Sequence, residues 1–174
     1  MKQVYIGIGS NVGDRLRHLE AALEAVRAGL DPRARMSRVF ETEPRLDEDQ
    51  PAFLNAVIEA RTALLPHAQL DLLLGIERSL GRSRDSDRPK GPRTIDLDLL
   101  VCGDEIVDSP ALTLPHPGLG SRRFVLAPLA DLAPDLEVVG MGTVRQLLAA
   151  CPDIGWVRPV SRTPRSAGLA AVML

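Results

Sequence analysis

From Phe53 to Leu64 the chain changes face at every residue. Phe53, Asn55, Val57 and Glu59 fall on one side, and Leu54, Ala56, Ile58 and Ala60 on the other. Only extended backbone has this period of two, so the segment reads as a strand. Its neighbours are then what it must pair with or pack against. Val4–Ile8 is a short apolar run stopped by Gly9-Ser10-Asn11, and reads as a buried strand ending in a turn. Leu16, Leu19, Ala22, Leu23 and Val26 repeat with helical spacing between Asp14 and Gly29. Met36–Glu43 alternates loosely as a further strand, and Pro44–Pro51 is a polar loop. Pro66 suits the first turn of a helix that carries Leu70, Leu73, Leu74 and Glu77 and stops at Gly81. Arg82–Pro92 has no apolar period and reads as a loop; Thr94–Cys102 is again a strand.

The order is β-α-β-β-α-β. It predicts an α+β fold: a ferredoxin-like antiparallel sheet with helices packed on it. Beyond a proline-punctuated connection at Pro110–Pro117, extra C-terminal helices are expected at Arg122–Leu132 and Thr143–Ala150. A length of 174 residues suits one domain, taken as residues 1–158, with 159–174 as a flexible tail. The net charge of -2 and an aromatic content of 3% disfavour an RNA reader, which needs a basic surface and stacking rings. The two cysteines are isolated and the three histidines widely spaced, which disfavours a disulfide framework or a zinc site. No apolar run approaches the length of a membrane span, so no membrane partner is expected and the cytoplasm is the expected location.

The segment Gly91-Pro92-Arg93-Thr94-Ile95-Asp96-Leu97-Asp98-Leu99-Leu100 carries the strongest chemical signal. On a strand, Asp96 and Asp98 share a face while Ile95, Leu97 and Leu99 turn to the core. Two adjacent carboxylates repel unless a cation lies between them, and oxygen-only ligands favour magnesium. Taken alone, the pair is equally a half-exposed strand with a polar face. Arg82, Arg84, Arg88, Lys90 and Arg93 shift that balance, because guanidinium groups bind the phosphate oxygens that magnesium bridges. An acidic pair beside a basic loop matches a nucleoside triphosphate. Phe53 and Asn55 lie on one predicted face; they suit a flat heterocycle, or a core ring beside a buried amide. His116, between Pro115 and Pro117, either donates to a phosphate or caps a loop. The glycines near the N-terminus do not form GxGxxG, and no P-loop motif occurs.

In order, these segments resemble the 6-hydroxymethyl-7,8-dihydropterin pyrophosphokinase family. The likeness runs colinearly over about residues 3–138. It includes Tyr5–Asn11, Glu41-Thr42-Glu43-Pro44, Asp49–Asn55, Ile76-Glu77, Leu80–Arg84, Gly91–Leu100, Leu114-Pro115-His116-Pro117 and Arg122–Leu129. The resemblance implies transfer of pyrophosphate from MgATP to the pterin hydroxymethyl group, with release of AMP, in folate synthesis. It implies that Asp96 and Asp98 hold two magnesium ions. Arg82, Arg93, Asp96 and Asp98 would form the catalytic centre. Glu77, Arg84, Arg88, Arg93, Leu99, Thr113, His116 and Arg122 would serve ATP. Thr42, Pro44, Phe53, Asn55 and Phe124 would hold the pterin. Loops Arg45–Asp49 and Gly81–Pro92 would close over the substrates, and the protein would be a monomer or weak homodimer. The family's Arg-Trp-Gly-Pro-Arg string is replaced here by Arg88-Pro89-Lys90-Gly91-Pro92-Arg93, with one residue inserted and no tryptophan, so Lys90 is expected to share the part of Arg88.

Overall fold

The computed structural model describes residues 1–44, 50–82 and 91–160. Its elements are β1 (Lys2–Ser10), α1 (Arg15–Gly29), β2 (Arg35–Met36), β3 (Phe40–Thr42), β4 (Phe53–Thr62), α2 (Pro66–Ser79), β5 (Asp96–Cys102), β6 (Val107–Asp108), β7 (Thr113–Leu114), a 3-10 turn at Leu119–Ser121, α3 (Arg123–Leu132), β8 (Glu137–Val138), β9 (Gly142–Thr143), α4 (Val144–Ala150) and β10 (Val157–Pro159). The fold is α+β. Among the described residues the main sheet is antiparallel, in the order β10-β3-β4-β1-β5, with β2 also on β4.

The alternation read at Phe53–Leu64 sorts the two faces of this sheet. Val4, Ile6 and Ile8 of β1, Leu54, Ala56 and Ile58 of β4, and Leu97 and Leu99 of β5 pack with Leu19, Ala22, Leu23 and Val26 of α1 and Leu73 and Ile76 of α2. On the opposite face Tyr5, Val57, Leu100 and Val101 pack with Val125, Leu126 and Leu129 of α3 and with Val138 and Val144. Leu100 and Val101 share that face because β5 carries a bulge. Tyr5 pairs with Val101 and Ile6 with Leu99, which leaves Leu100 as the extra residue.

Local chemistry sets the helix ends. Asp14 caps α1 by accepting from the Arg17 N–H at 3.2 Å. Thr143 and Gln146 form a reciprocal capping box on α4. At the end of α2, Gly81 takes a φ of +87°, a conformation open to glycine. The Arg82 N–H then bonds to the Glu77 carbonyl at 3.0 Å and the Gly81 N–H to that of Arg78 at 3.1 Å, a Schellman turn.

Two segments differ from the sequence reading. The strand expected over Met36–Glu43 is broken into β2 and β3. Between them the Ser37 hydroxyl accepts from the Val57 N–H at 3.0 Å, and the Arg38 N–H turns to Asp131 of α3 at 2.9 Å. The chain also returns to the sheet as β10, which pairs with β3 so that Val157 lies opposite Thr42. The expected domain limit at residue 158 falls inside this edge strand, and the Val160 N–H still bonds to the Val39 carbonyl at 2.8 Å. Residues 161–174 of the expected tail lie outside the described residues.

Candidate active site

Helices α1 and α2 cover one face of the sheet along its length, whereas α3 leaves one end of the other face open. A cavity of about 600 Å³ lies there. Its floor is bare backbone at Gly7 and Gly9 of β1. Gly9 lies between Asn55 of β4 and Asp96 of β5; Gly7 lies between Val57 and Asp98. A Cβ added at Gly9 would come within 2.7 Å of Asn55 Oδ1, so glycine is what keeps this floor open.

Asp96 and Asp98 both face the cavity, as their spacing predicts. Arg82 and Arg93 converge on Asp96. Arg82 Nη1 pairs with Asp96 Oδ1, and with Glu77 Oε1 at 2.6 Å; Arg93 Nη1 pairs with Asp96 Oδ2 at 2.7 Å. Arg93 also lies over the Phe53 ring, 5.6 Å from its centre. Its Nε is buried, with no hydrogen-bond partner among the described residues. An anionic oxygen would satisfy that donor. For Arg82, burial opposes the charge, but Asp96 and Glu77 outweigh it and hold the guanidinium above its ordinary pKa. Arg122 Nη1 approaches Asp98 Oδ2 at 3.9 Å.

His116 follows a cis Leu114–Pro115 peptide and lines the cavity. Its N–H donates to the Leu100 carbonyl at 2.9 Å, and its Nδ1 accepts from the Gly118 N–H at 3.0 Å. A neutral ring so held carries its proton on Nε2. Burial, reinforced by the charge of Arg122 and opposed by Asp96, pushes the His116 pKa down to about 4.

Thr42, Phe53, Asn55 and Phe124 line the same cavity. Asn55 Nδ2 donates to Thr42 Oγ1 at 2.8 Å, which fixes the amide and turns Oδ1 over Gly9. Four residues singled out in the sequence are placed differently. Leu99 packs its side chain in the core under α1 and α2, on the far side of the sheet from the cavity. Glu77 stands behind Arg82, nearly inaccessible at 1% exposure, and also accepts from the Leu97 N–H at 2.8 Å. Thr113 is exposed on β7 and is not among the residues lining the cavity, and neither is Pro44. Arg84, Arg88, Lys90 and the segment 45–49 lie outside the described residues, as does most of the loop Gly81–Pro92.

Sequence reasoning assigned no part to Asn11. This buried residue ties three strand ends together: its Oδ1 accepts from the Arg93 N–H at 2.8 Å, and its Nδ2 donates to Gln50 Oε1 at 3.0 Å and to the Pro51 carbonyl at 3.3 Å. An asparagine closing a strand before a turn was the available signal. Asp153, from the link between α4 and β10, also lines the cavity, and nothing in the surrounding sequence marks it.

Residues 5–134 match the family described as 7,8-dihydro-6-hydroxymethylpterin-pyrophosphokinase, HPPK. The chain belongs to this family. It is 41% identical over 156 residues to the 2-amino-4-hydroxy-6-hydroxymethyldihydropteridine pyrophosphokinase of Pseudomonas aeruginosa, covering 89% of this chain and 95% of that protein. It is 45% identical over 157 residues to the protein of the same name from Methylorubrum extorquens, covering 89% and 97%. Among solved structures, a crystal structure of HPPK-DHPS in complex with substrates superposes with a TM-score of 0.68 at 14% identity, over 85% of this chain and 43% of that one. That superposition speaks for the fold; the closer sequence relatives speak for the HPPK family.

Proposed function

We infer that the chain transfers the pyrophosphoryl group of ATP to the hydroxymethyl group of 6-hydroxymethyl-7,8-dihydropterin, releasing AMP, as a step of folate biosynthesis. The observation that carries this reading is one cavity with two kinds of wall. Asp96, Asp98, Arg82 and Arg93, with His116, form a polar side whose guanidinium groups suit phosphate oxygens. Phe53, Phe124 and the fixed Asn55–Thr42 pair form a side suited to a flat ring with a donor edge.

In this reading Phe53 and Phe124 hold the pterin between them, with the Thr42 and Pro44 backbone at its edge. Asn55 Oδ1 accepts from the ring edge, since its Nδ2 is already committed to Thr42. Arg82 and Arg93 take the phosphate oxygens, and the orphaned Nε of Arg93 gains its missing acceptor. Neutral His116 donates from Nε2 to the triphosphate. Arg122 neutralises charge between the reacting groups. The hydroxymethyl oxygen bonds to the β-phosphorus, the bond to the α-phosphate oxygen breaks, and AMP leaves while the hydroxyl proton passes to solvent. Positioning and charge neutralisation carry most of such a transfer.

Asp96 and Asp98 fit magnesium: they are oxygen donors, adjacent on one face, and too few to form a closed protein cage. Magnesium usually takes one or two carboxylates and completes its shell with substrate phosphates and water. When bound it would offset the negative charge of the phosphates. Glu77, set behind Arg82, positions that arginine rather than meeting the nucleoside. The sheet order fits the ferredoxin-like arrangement, with β2 and β3 together as one strand position. No helix among the described residues is long and apolar enough to cross a membrane, and we place the protein in the cytoplasm as a monomer or weak homodimer.

The test is incubation of the purified protein with MgATP and 6-hydroxymethyl-7,8-dihydropterin, followed by chromatography of the nucleotides. AMP in equal amount to product, dependent on pterin and on magnesium, is expected. Release of pyrophosphate instead would mark a nucleotidyltransferase, and absence of any nucleotide product would overturn the reading.

A further inference from the structure

The family match ends at residue 134, yet the cavity does not. Asp153 lies in the link between α4 and β10, is 3% exposed, and lines the cavity beside Arg122 and Phe124. Its two carboxylate oxygens have separate tasks. Oδ2 accepts from the Arg123 N–H at 3.0 Å and Oδ1 from the Gly155 N–H at 2.8 Å.

Arg123 is the first residue of α3, and Arg122 occupies the N-cap position without a side-chain cap of its own. The first N–H groups of a helix have no partner within it, and they carry the positive end of the helix dipole. Asp153 therefore supplies from a distant segment the anionic cap that α3 lacks locally. The bond falls on the residue between Arg122 and Phe124, both of which line the cavity. One residue beyond Asp153's own turn, the same link continues to the opposite wall. The Trp156 N–H donates to Glu43 Oε1 at 3.2 Å, and Val157 then pairs with Thr42. Glu43 and Thr42 line the cavity too.

We propose that Asp153 is a positioning residue for the pterin end of the site, holding the first turn of α3 so that Phe124 faces the pterin. The proposal rests on the pterin reading given above. It deepens that reading by placing part of the site in the C-terminal segment beyond the family match.

The test uses the full chain and the variants Asp153→Ala and Asp153→Asn. The KM values for 6-hydroxymethyl-7,8-dihydropterin and for ATP are measured separately, alongside thermal melts. Asp153→Ala should raise the pterin KM about tenfold, the scale of one lost charge-assisted bond, while the ATP KM changes by less than about threefold. Asp153→Asn keeps one carbonyl acceptor and should fall between Asp153→Ala and the wild type. Equal rises in both KM values, or none, would overturn the proposal; if Asp153→Ala does not fold, Asp153→Asn decides by the same split. Should the wild type make no AMP from this pterin, the functional reading fails first. The positioning role is then decided in the ligand-free protein by amide hydrogen exchange at Arg123 and Phe124. Faster exchange at both amides in Asp153→Asn, with unchanged exchange in α1, supports it; unchanged exchange at Arg123 and Phe124 sinks it.

Discussion

The same three strands, β1, β4 and β5, build two surfaces with opposite tasks. Toward α1 and α2 they present Val4, Ile6, Ile8, Leu54, Ala56, Ile58, Leu97 and Leu99, all nearly inaccessible to solvent. One residue away, on the reverse side, they present Gly7, Gly9, Asn55, Asp96 and Asp98 to the cavity. The period of two separates stability from chemistry with no intervening layer. The apolar face gains from burial, at roughly 25 cal/mol per Å². The other face leaves bare glycine backbone and charged groups where a packed side chain would be more stable, a cost often found at functional sites.

The sharpest way to break this contrast is to change one carboxylate. Asp98→Ala should lower AMP formation by about a thousandfold or more, since charge neutralisation of the phosphates depends on it. Its melting temperature should stay near wild type, because its side chain is 39% exposed. Ordinary turnover by this variant would remove Asp98 from the site. On the other face, Ile58→Ala should cost about 2–5 kcal/mol in denaturant unfolding, as for other buried aliphatic truncations. Its pterin and ATP KM values should not move.

A smaller effect is expected where the faces meet. Gly9→Ala places a Cβ within 2.7 Å of Asn55 Oδ1, and Asn55 is held by Thr42. The pterin KM should rise about tenfold, because small misplacements at a site carry large rate penalties. Competitive binding of the pterin to Gly9→Ala measures this directly; unchanged affinity would mean that the ring does not lie over Gly9.

The smallest effect concerns His116. Its pKa of about 4 in the folded chain lies below the ordinary 6.5, so the unfolded chain binds more protons between these values. The stability linked to His116 is therefore complete above pH 6.5 and is lost as pH falls toward about 4. Ring NMR shifts should titrate near that lower value, and His116→Gln should flatten the fall in melting temperature over the same window.

Much of the apolar face was legible in the sequence, because periodic burial leaves a periodic trace. Strands β1, β4 and β5, the core positions of α1 and α2 and the shared face of Asp96 and Asp98 follow from spacing. What was missed depends on distance along the chain. The break between β2 and β3 arises where Arg38 meets Asp131, and the three residues of β10 are too few to show a period. Glu77 has the spacing of a helix residue, but only the Schellman turn at Gly81 shows why it meets Arg82 rather than solvent. Leu99 was assigned to ATP through resemblance, although its own parity already pointed it to the core. Asp153 gives no signal, since its partner Arg123 is thirty residues away.

The bulge in β5 gives the chain a spare residue at a known place. If Leu100 were deleted, Val101 would still lie opposite Tyr5 and Leu99 opposite Ile6, now as ordinary consecutive pairs. Removing Leu97 or Asp98 would instead turn the segment before it over and aim Asp96 into the helices. What would be lost with Leu100 is the apolar group that sits above Gly7 and lines the cavity. The strand can thus absorb a one-residue change in length at a single position, where it alters the shape of the pocket without altering which way the acids point.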